Sequence, residues 1–102
     1  MASRLKLQEE LEEVLGSKNV YFQPPESVKM KYDAIIYTLS NIRLDFADDT
    51  SYKKHREYDI TVISRNPDND IAEKLLDNFK WIRFDRRYIA DNLYHDALSL
   101  YY

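Results

Sequence analysis

The chain has 102 residues, 44% of them hydrophobic and 14% aromatic, and its 15 basic and 18 acidic residues leave a net charge of −3. This length predicts a single domain over residues 1–102. The small net charge excludes a disordered tail and argues against a nucleic-acid-binding domain, which is typically basic. The absence of cysteine excludes disulfides and thiolate sites. No apolar run approaches the roughly 20 residues that cross a bilayer, so we expect no membrane partner.

Two composition figures bear on function: Gly16 is the only glycine, and there are nine tyrosines. Phosphate-binding loops and the nucleophile elbow of hydrolases both need glycine, so both are excluded. Tyrosine at this density is typical of sheets and of protein interfaces, where the ring covers area at low entropic cost. We therefore expect no enzyme and no cofactor.

The first predicted element is an amphipathic helix over residues 3–15. Ser3 stands at its N-cap, and Gly16 stands where a left-handed residue ends a helix. Four glutamates lie opposite the apolar stripe and are interpreted as a solvated face. The stripe repeats at helical spacing and consists of Leu7, Leu11, Val14 and Leu15.

Three strands are predicted next, over residues 20–23, 33–44 and 56–64. A pair of prolines ends the first strand. The second strand has apolar residues at both parities, which is typical of a well-covered strand. The polar segment 45–54 is predicted to be a long connection or a hairpin tip. The third strand alternates clearly, with Tyr58, Ile60 and Val62 on one face.

The second half of the chain continues with a helix over residues 69–79. The side chain of Asp68 or Asn69 could cap the first amides of this helix. Two further strands are predicted over residues 81–88 and 93–102, separated by a turn. The predicted order is α-β-β-β-α-β-β. It describes an α+β fold with a mainly antiparallel sheet, since hairpin-length connections dominate, and with two helices packed on it.

A calcium site is considered first among possible metal sites. Asn66, Asp68 and Asp70 have the spacing that opens a calcium loop, but Ile71 and Asp77 occupy the positions where that loop needs glycine and glutamate. Helix capping explains the three residues without an ion. We therefore expect no metal at this turn.

Other titratable residues are also compared with catalytic and metal sites. His55 and His95 have no further ligands at a recognisable spacing. Asp45, Asp48 and Asp49 lie in the most polar segment, where carboxylates gain neither the burial nor the close neighbours that shift a catalytic pKa. These residues are interpreted as solvated or as hydrogen-bonded structural groups, and no catalytic residue is predicted.

A basic cluster with interleaved aromatic residues precedes the last strand. Basic and aromatic residues alternate in this way in RNA-binding sheets, but the chain is net acidic and lacks the glycine-containing pattern of those sheets. Asp85 among the basic residues favours an ion-pair network at a contact within the fold or between subunits. The cluster consists of Lys80, Arg83, Arg86 and Arg87, flanked by Trp81, Phe84 and Tyr88.

Several segments together resemble a family of small tail-completion proteins of long-tailed phages of Gram-positive hosts. The resemblance covers residues 11–102, and its most specific stretch is residues 84–96, FDRRYIADNLYHD. The family pattern predicts proline at position 33, and the chain departs from it there with Asp33. The other matching segments are YFQPP at 21–25, KMKY at 29–32, YDITVI at 58–63, NPD at 66–68 and LYY at 100–102.

The resemblance implies a tail-terminator-like α/β fold and no catalytic residues. It implies a ring of six identical subunits in the neck of the virion, assembled in the host cytoplasm, that caps the tail tube and joins it to the head-side connector. DNA would pass through this ring without specific binding. Two alternatives remain open: a head-closure or stopper protein one ring higher, and a small phage-encoded hydrolase.

Two segments are predicted to make the subunit and tail-tube contacts. One is the strand with the basic cluster, which would face acidic residues of a neighbour. The other is the segment 45–54, which is predicted to be mobile in the free subunit and ordered on assembly, because its aromatic residues lack local apolar contacts. The predicted interface residues are Phe46, Asp48, Asp49, Tyr52, Lys53, Lys54, Trp81, Arg83, Asp85, Arg86 and Arg87.

Overall fold

Helices and strands follow one another in the predicted order. The computed structural model describes residues 4–25, 29–47 and 51–102. Within this part of the chain, helices α1 and α2 span Arg4–Leu15 and Ile71–Asn78. Strands β1 to β5 span Val20–Phe22, Ala34–Ala47, Ser51–Ser64, Ile82–Ala90 and Leu93–Tyr101. The predicted α+β class and element order are confirmed.

The five strands form one sheet in the order β1-β2-β3-β5-β4. The pairs β2–β3, β3–β5 and β5–β4 are antiparallel, as the short connections predicted, whereas β1 pairs with β2 in parallel. The sheet therefore has two outer strands of very different length: β1 with three residues and β4 with nine.

Both helices pack on one face of the sheet, and the core lies between the helices and this face. On β3, Tyr58, Ile60 and Val62 are at most 2% exposed, so the predicted alternation of this strand is confirmed. Full burial of a side chain of this size stabilises the fold by about 1.5–3 kcal/mol. The remaining large core residues are Leu7, Leu11, Ile35, Tyr37, Leu75, Leu98 and Leu100.

A polar network attaches α1 to the edge of the sheet. The buried Tyr37 hydroxyl donates a hydrogen bond to Gln8 Oε1 and accepts one from Arg4 at 3.2 Å. Gln8 Nε2 donates to the carbonyl of Val20 at 2.9 Å. Burial raises the pKa of Tyr37, and the hydrogen bond from Arg4 partly opposes this rise. The network satisfies the one polar atom of a side chain that is otherwise part of the core.

Helix ends and turns largely agree with the sequence. Gly16 has φ +81° and its amide donates to Glu12 O at 2.9 Å, so it ends α1 as predicted. The predicted cap Ser3 lies outside the described residues. The helix α2 begins two residues later than predicted, and its first amide is capped by Asn69 Oδ1 at 3.2 Å.

Two tight features connect the remaining strands. Asp91 and Asn92 both have positive φ, 53° and 62°, and form the two-residue turn between β4 and β5. Asp and Asn tolerate this conformation better than most residues, and two positive φ values match the twist of a hairpin. A cis peptide bond joins Tyr32 to Asp33 just before β2.

Strands β2 and β3 continue beyond the rest of the sheet. Their pairing runs out to Ala47 and Ser51, whereas β5 pairs with β3 only as far as Glu57. Residues 41–47 and 51–56 therefore project as a two-stranded ribbon, which we call the hairpin arm. A bulge at Ser40, whose hydroxyl donates to Glu57 O at 3.0 Å, marks its base.

The hairpin arm corrects the interpretation of residues 45–54 as a long irregular connection. The hairpin alternative is the one observed over the described residues 45–47 and 51–54. The physical reason lies in a period-two pattern: Leu44 and Phe46 alternate with charged residues, and this continues the register of the preceding strand. The polar composition of the segment concealed that pattern.

Candidate subunit interface

The outer strand β4 exposes side chains on both of its faces. Its two end residues are half-buried, and the seven residues between them are exposed. A group of exposed large apolar side chains along one sheet edge is a candidate interaction surface. Four large side chains form this group, which we call the edge patch: Trp81 at 58% exposure, Phe84 at 42%, Tyr88 at 37% and Ile89 at 67%.

The predicted ion-pair network begins at a bulge in β4. The register of β4 on β5 shifts between Phe84 and Arg86, so Asp85 is an additional residue. Its carboxylate accepts hydrogen bonds from Ser99 Oγ at 2.6 Å and from Arg83 Nε at 2.7 Å. These two donors lower the pKa of Asp85, with Ser99 the larger cause, and the same contact raises the pKa of Arg83.

Arg87 forms a second ion pair, with an aspartate of β5. Its guanidinium donates to both carboxylate oxygens of Asp96, at 2.6 and 3.0 Å, and to the carbonyl of Pro67 at 2.7 Å. Asp96 is only 1% exposed. The hydrogen bonds from Arg87 to Asp96 raise the pKa of the guanidinium. Arg87 therefore neutralises a buried charge of its own chain.

A stack of side chains occupies the sheet face away from the helices. The guanidinium of Arg86 lies 4.9 Å from the centre of the Tyr88 ring. Tyr88 stacks on His95 with 4.9 Å between ring centres and 19° between planes. The Nδ1 atom of His95 lies 3.1 Å from the carbonyl oxygen of Leu93. Cation–π and stacking contacts of this kind hold exposed side chains in place.

The geometry changes the character of the predicted contact. Arg83, Asp85 and Arg87 have charged partners within their own chain, as an ion-pair network in the fold requires. What the strand offers outward is the edge patch together with the free edge of its backbone. The intrachain ion pairs therefore satisfy part of this charge, and exposed apolar side chains add to what the strand offers a partner.

The second predicted contact segment lies in the hairpin arm. Phe46 stands opposite Tyr52, and Lys53 stands opposite Asp45. Lys54 stands opposite Leu44 in the same ribbon. The predicted contact residues Asp48 and Asp49 lie outside the described residues.

A shallow cleft of about 360 Å³ adjoins the start of β4. It opens on the sheet face away from the helices, and both aromatic and basic residues surround it. Such a cleft can receive a side chain of a partner. Its lining consists of Lys80, Trp81, Ile82, Arg83, Ser99 and Tyr101.

The turn before α2 serves as a local cap. Asn66 Oδ1 accepts a hydrogen bond from the amide of Asp68 at 2.9 Å, and Asp70 lies 3.6 Å from Lys74 one helical turn later. Within the described residues, no group of three or more histidine and acidic side chains is arranged to hold a metal ion.

Sequence reasoning missed three features of this surface. The exposure of Ile89 was not predicted. This residue lies in the part of β4 that continues beyond the bulge, and the bulge itself has no local sequence signal. The partners Asp96 and Ser99 could have been found from an antiparallel register counted outward from the Asp91–Asn92 turn.

Comparisons with known proteins add no assignment. No protein-family model matches the chain, and no curated protein matches it. Among the described residues, no helix is long and apolar enough to span a membrane.

Proposed function

We propose that this chain is a structural virion protein of a long-tailed phage, a tail-completion subunit. Copies of it would form a ring, with six subunits, that caps the tail tube and joins it to the head-side connector. The proposal rests on the resemblance of residues 84–96 to tail-completion proteins. In the fold, these residues form most of β4, the turn and the first part of β5.

The observation that carries the proposal is the edge patch beside an unpaired strand edge. A ring needs a heterologous interface, in which two different surfaces of one subunit meet. The edge patch lies at the β4 edge of the sheet and the outer edge of β2 in the hairpin arm faces the opposite side, so each subunit offers one surface to each neighbour. Truncation of an interface aromatic such as Trp81 is expected to weaken assembly strongly.

Charge supports the passage of DNA through such a ring. Each subunit has a net charge of −3, and β4, the strand with the basic cluster, has its arginines at positions 83 and 87 paired with aspartates of the same chain. The pairing of these two arginines reduces the attraction for phosphates on which the salt-dependent binding of DNA rests. Tight, salt-sensitive DNA binding by the purified protein would contradict this part of the proposal.

Deletion of the gene from its phage tests the function. We expect electron micrographs of the lysate to show tails of uncontrolled length or with unfinished ends. Finished tails beside leaking heads would assign the chain to the stopper ring instead. Particles like those of the wild type would overturn both assignments. The matched control is complementation with the wild-type gene, compared with complementation by Trp81→Ala and Ile89→Ala.

A further inference from the structure

We infer that copies of this chain join edge to edge, with β4 of one subunit pairing with residues 40–47 of β2 in the next. The pairing would make one continuous sheet across the ring. The inference names the partner of the edge patch, a second copy of the chain, and in this respect it rests on the proposed function.

Both edges are open within the described part of the chain. Of the strands that the structure describes, β5 alone pairs with β4. β2 pairs with β1 over residues 35–37, and the side chain of Gln23 then accepts a hydrogen bond from Leu39 N at 3.2 Å. Among the described residues, no strand lies on that side of β2 beyond the bulge at Ser40, and the Ile42 amide there donates to Asn41 Oδ1 at 2.9 Å. An open strand edge presents unpaired amides and carbonyls that another strand can pair with.

Strand direction selects β2 as the partner of β4. Subunits related by rotation about a ring axis present opposite sides of their sheets to each other, so β4 meets the side on which β1 lies. From the pairings within the sheet, β2 runs antiparallel to β4. The open edge of β3 in the hairpin arm faces the same side as β4 and would meet it only in a twofold dimer.

One antiparallel register matches the residue types of the two strands. It places Asp85 beside Arg43 and Arg83 beside Asp45, so that both cross-strand pairs have opposite charges. The same register places Phe84 beside Leu44. A shift by one residue brings charged residues opposite apolar ones and breaks all three matches.

The lengths of the two edges agree with this register. When this register is continued along both strands, Ile89 lies at the beginning of the part of β2 that has an open edge. The neighbour's β1, which covers residues 35–37, then lies beyond the Asp91–Asn92 turn and does not compete with β4. The nine residues of β4 are covered almost completely.

Apolar exposure on the core face of the sheet supports the same join. Ile42 is 50% exposed and stands opposite Arg56, two residues before the buried Tyr58, so it extends the core face beyond the helices. Phe84 pairs with Leu98 and shares that face. The pairing of β4 with β2 brings Ile42 between Phe84 and Ile89, and it removes these three exposed apolar residues from water.

Cysteine cross-linking tests the register, because the chain has no cysteine of its own. The variant Phe84→Cys/Leu44→Cys is oxidised at high protein concentration and compared with Phe84→Cys/Asp45→Cys, which is shifted by one residue. Within one subunit, β3 and β5 lie between β2 and β4, and Phe84 is level with Tyr37 on β2. Positions 84 and 44 are therefore separated by roughly 14 Å across the sheet and by seven further residues along β2, too far for an internal disulfide. We expect a ladder of covalent oligomers from the first variant and little product from the second.

Other outcomes of the cross-linking overturn the inference. Absence of a ladder, or equal ladders from both variants, rejects the register. Dimers from Phe84→Cys alone indicate a twofold pairing of β4 with itself. Since cross-linking needs no phage, a ladder combined with wild-type particles after gene deletion would leave the pairing standing and reject the proposed function. The reverse combination would reject only the pairing.

A charge exchange provides an independent test that keeps composition constant. Arg43→Asp/Asp45→Arg and Arg83→Asp/Asp85→Arg each place like charges across the join. We expect each to weaken self-association, measured by sedimentation, by about tenfold. The combination of all four substitutions restores opposite charges and should recover most of the association. Failure of the combined variant to recover, with unfolding midpoints matched to the double variants, would overturn the register.

Discussion

The guanidinium of Arg87 and the carboxylate of Asp96 form a two-fold hydrogen-bonded ion pair, at 2.6 and 3.0 Å, across strands β4 and β5. The carboxylate is buried and the guanidinium is partly exposed. The same guanidinium reaches the carbonyl of Pro67 in the turn before α2. One side chain therefore connects the outer strand, the core strand and the turn before α2.

Removal of Arg87 should destabilise the fold strongly. Arg87→Met leaves the buried Asp96 without its counter-charge, and we expect a loss of about 2–4 kcal/mol in the free energy of unfolding. The measurement is urea denaturation at neutral pH. Arg86→Met is the matched control, because its guanidinium lies over an exposed ring, and it should cost less than about 1 kcal/mol.

Relief by a second substitution separates this cause from lost packing. Asp96→Asn removes the buried charge, so Arg87→Met/Asp96→Asn should be more stable than Arg87→Met alone. Equal stability of the two variants would show that the charge of Asp96 is not what Arg87 compensates.

The sequence predicted the parts of the fold that local periodicity controls. The alternation of Tyr58, Ile60 and Val62 and the positive φ of Gly16 are of this kind, because each depends on residues a few positions apart. The parallel pairing of β1 with β2 and the bulge at Asp85 depend on long-range packing, for which one sequence has no periodic signal. The basic cluster was located correctly, but its partners lie on β5, so only the register shows which charges are neutralised.

Substitution of Gly16 should cost stability through backbone strain alone. Its φ is +81°, and a Cβ atom there would meet nothing within 4 Å. Gly16→Ala is therefore expected to lose about 1–2 kcal/mol without any steric clash. Asn tolerates the left-handed region, so Gly16→Asn should lose less in thermal unfolding. A larger loss for the Asn variant would contradict a purely conformational cause.

The last residue contributes a pH-dependent contact with α1. Tyr102 donates a hydrogen bond to Glu10 Oε2 at 2.6 Å, and burial, followed by this bond, raises the pKa of Tyr102 above its ordinary value of 10.0. Its stabilising effect is therefore complete below pH 10 and decreases as pH rises beyond that value, where the unfolded chain loses the proton first.

Tyr102→Phe tests this linkage. At pH 8 the variant should be less stable than the wild type by about 1 kcal/mol, and near pH 11 the difference should disappear. Free energies of unfolding at several pH values give the measurement. A constant difference for Tyr102→Phe would contradict the linkage.

The hairpin arm should be the least protected part of the sheet. In the described part of the arm, the strand pairing joins β2 to β3 alone, and the Ile42 amide donates to Asn41 Oδ1 at 2.9 Å, whereas the part of β3 from Glu57 to Ser64 lies between β2 and β5. A two-stranded ribbon is marginally stable by itself, so we expect arm amides to exchange through local opening at about 1–3 kcal/mol, below the global free energy of unfolding. Amide exchange of the free subunit measures this, with Ile60 and Val62 as the internal reference. Protection of the arm equal to that of the reference would contradict a marginal ribbon, and complete absence of protection would restore the irregular connection predicted from composition.

If β4 of a neighbour pairs with β2, protection of residues 41–47 should rise on assembly more than that of residues 51–56, since only β2 gains a strand.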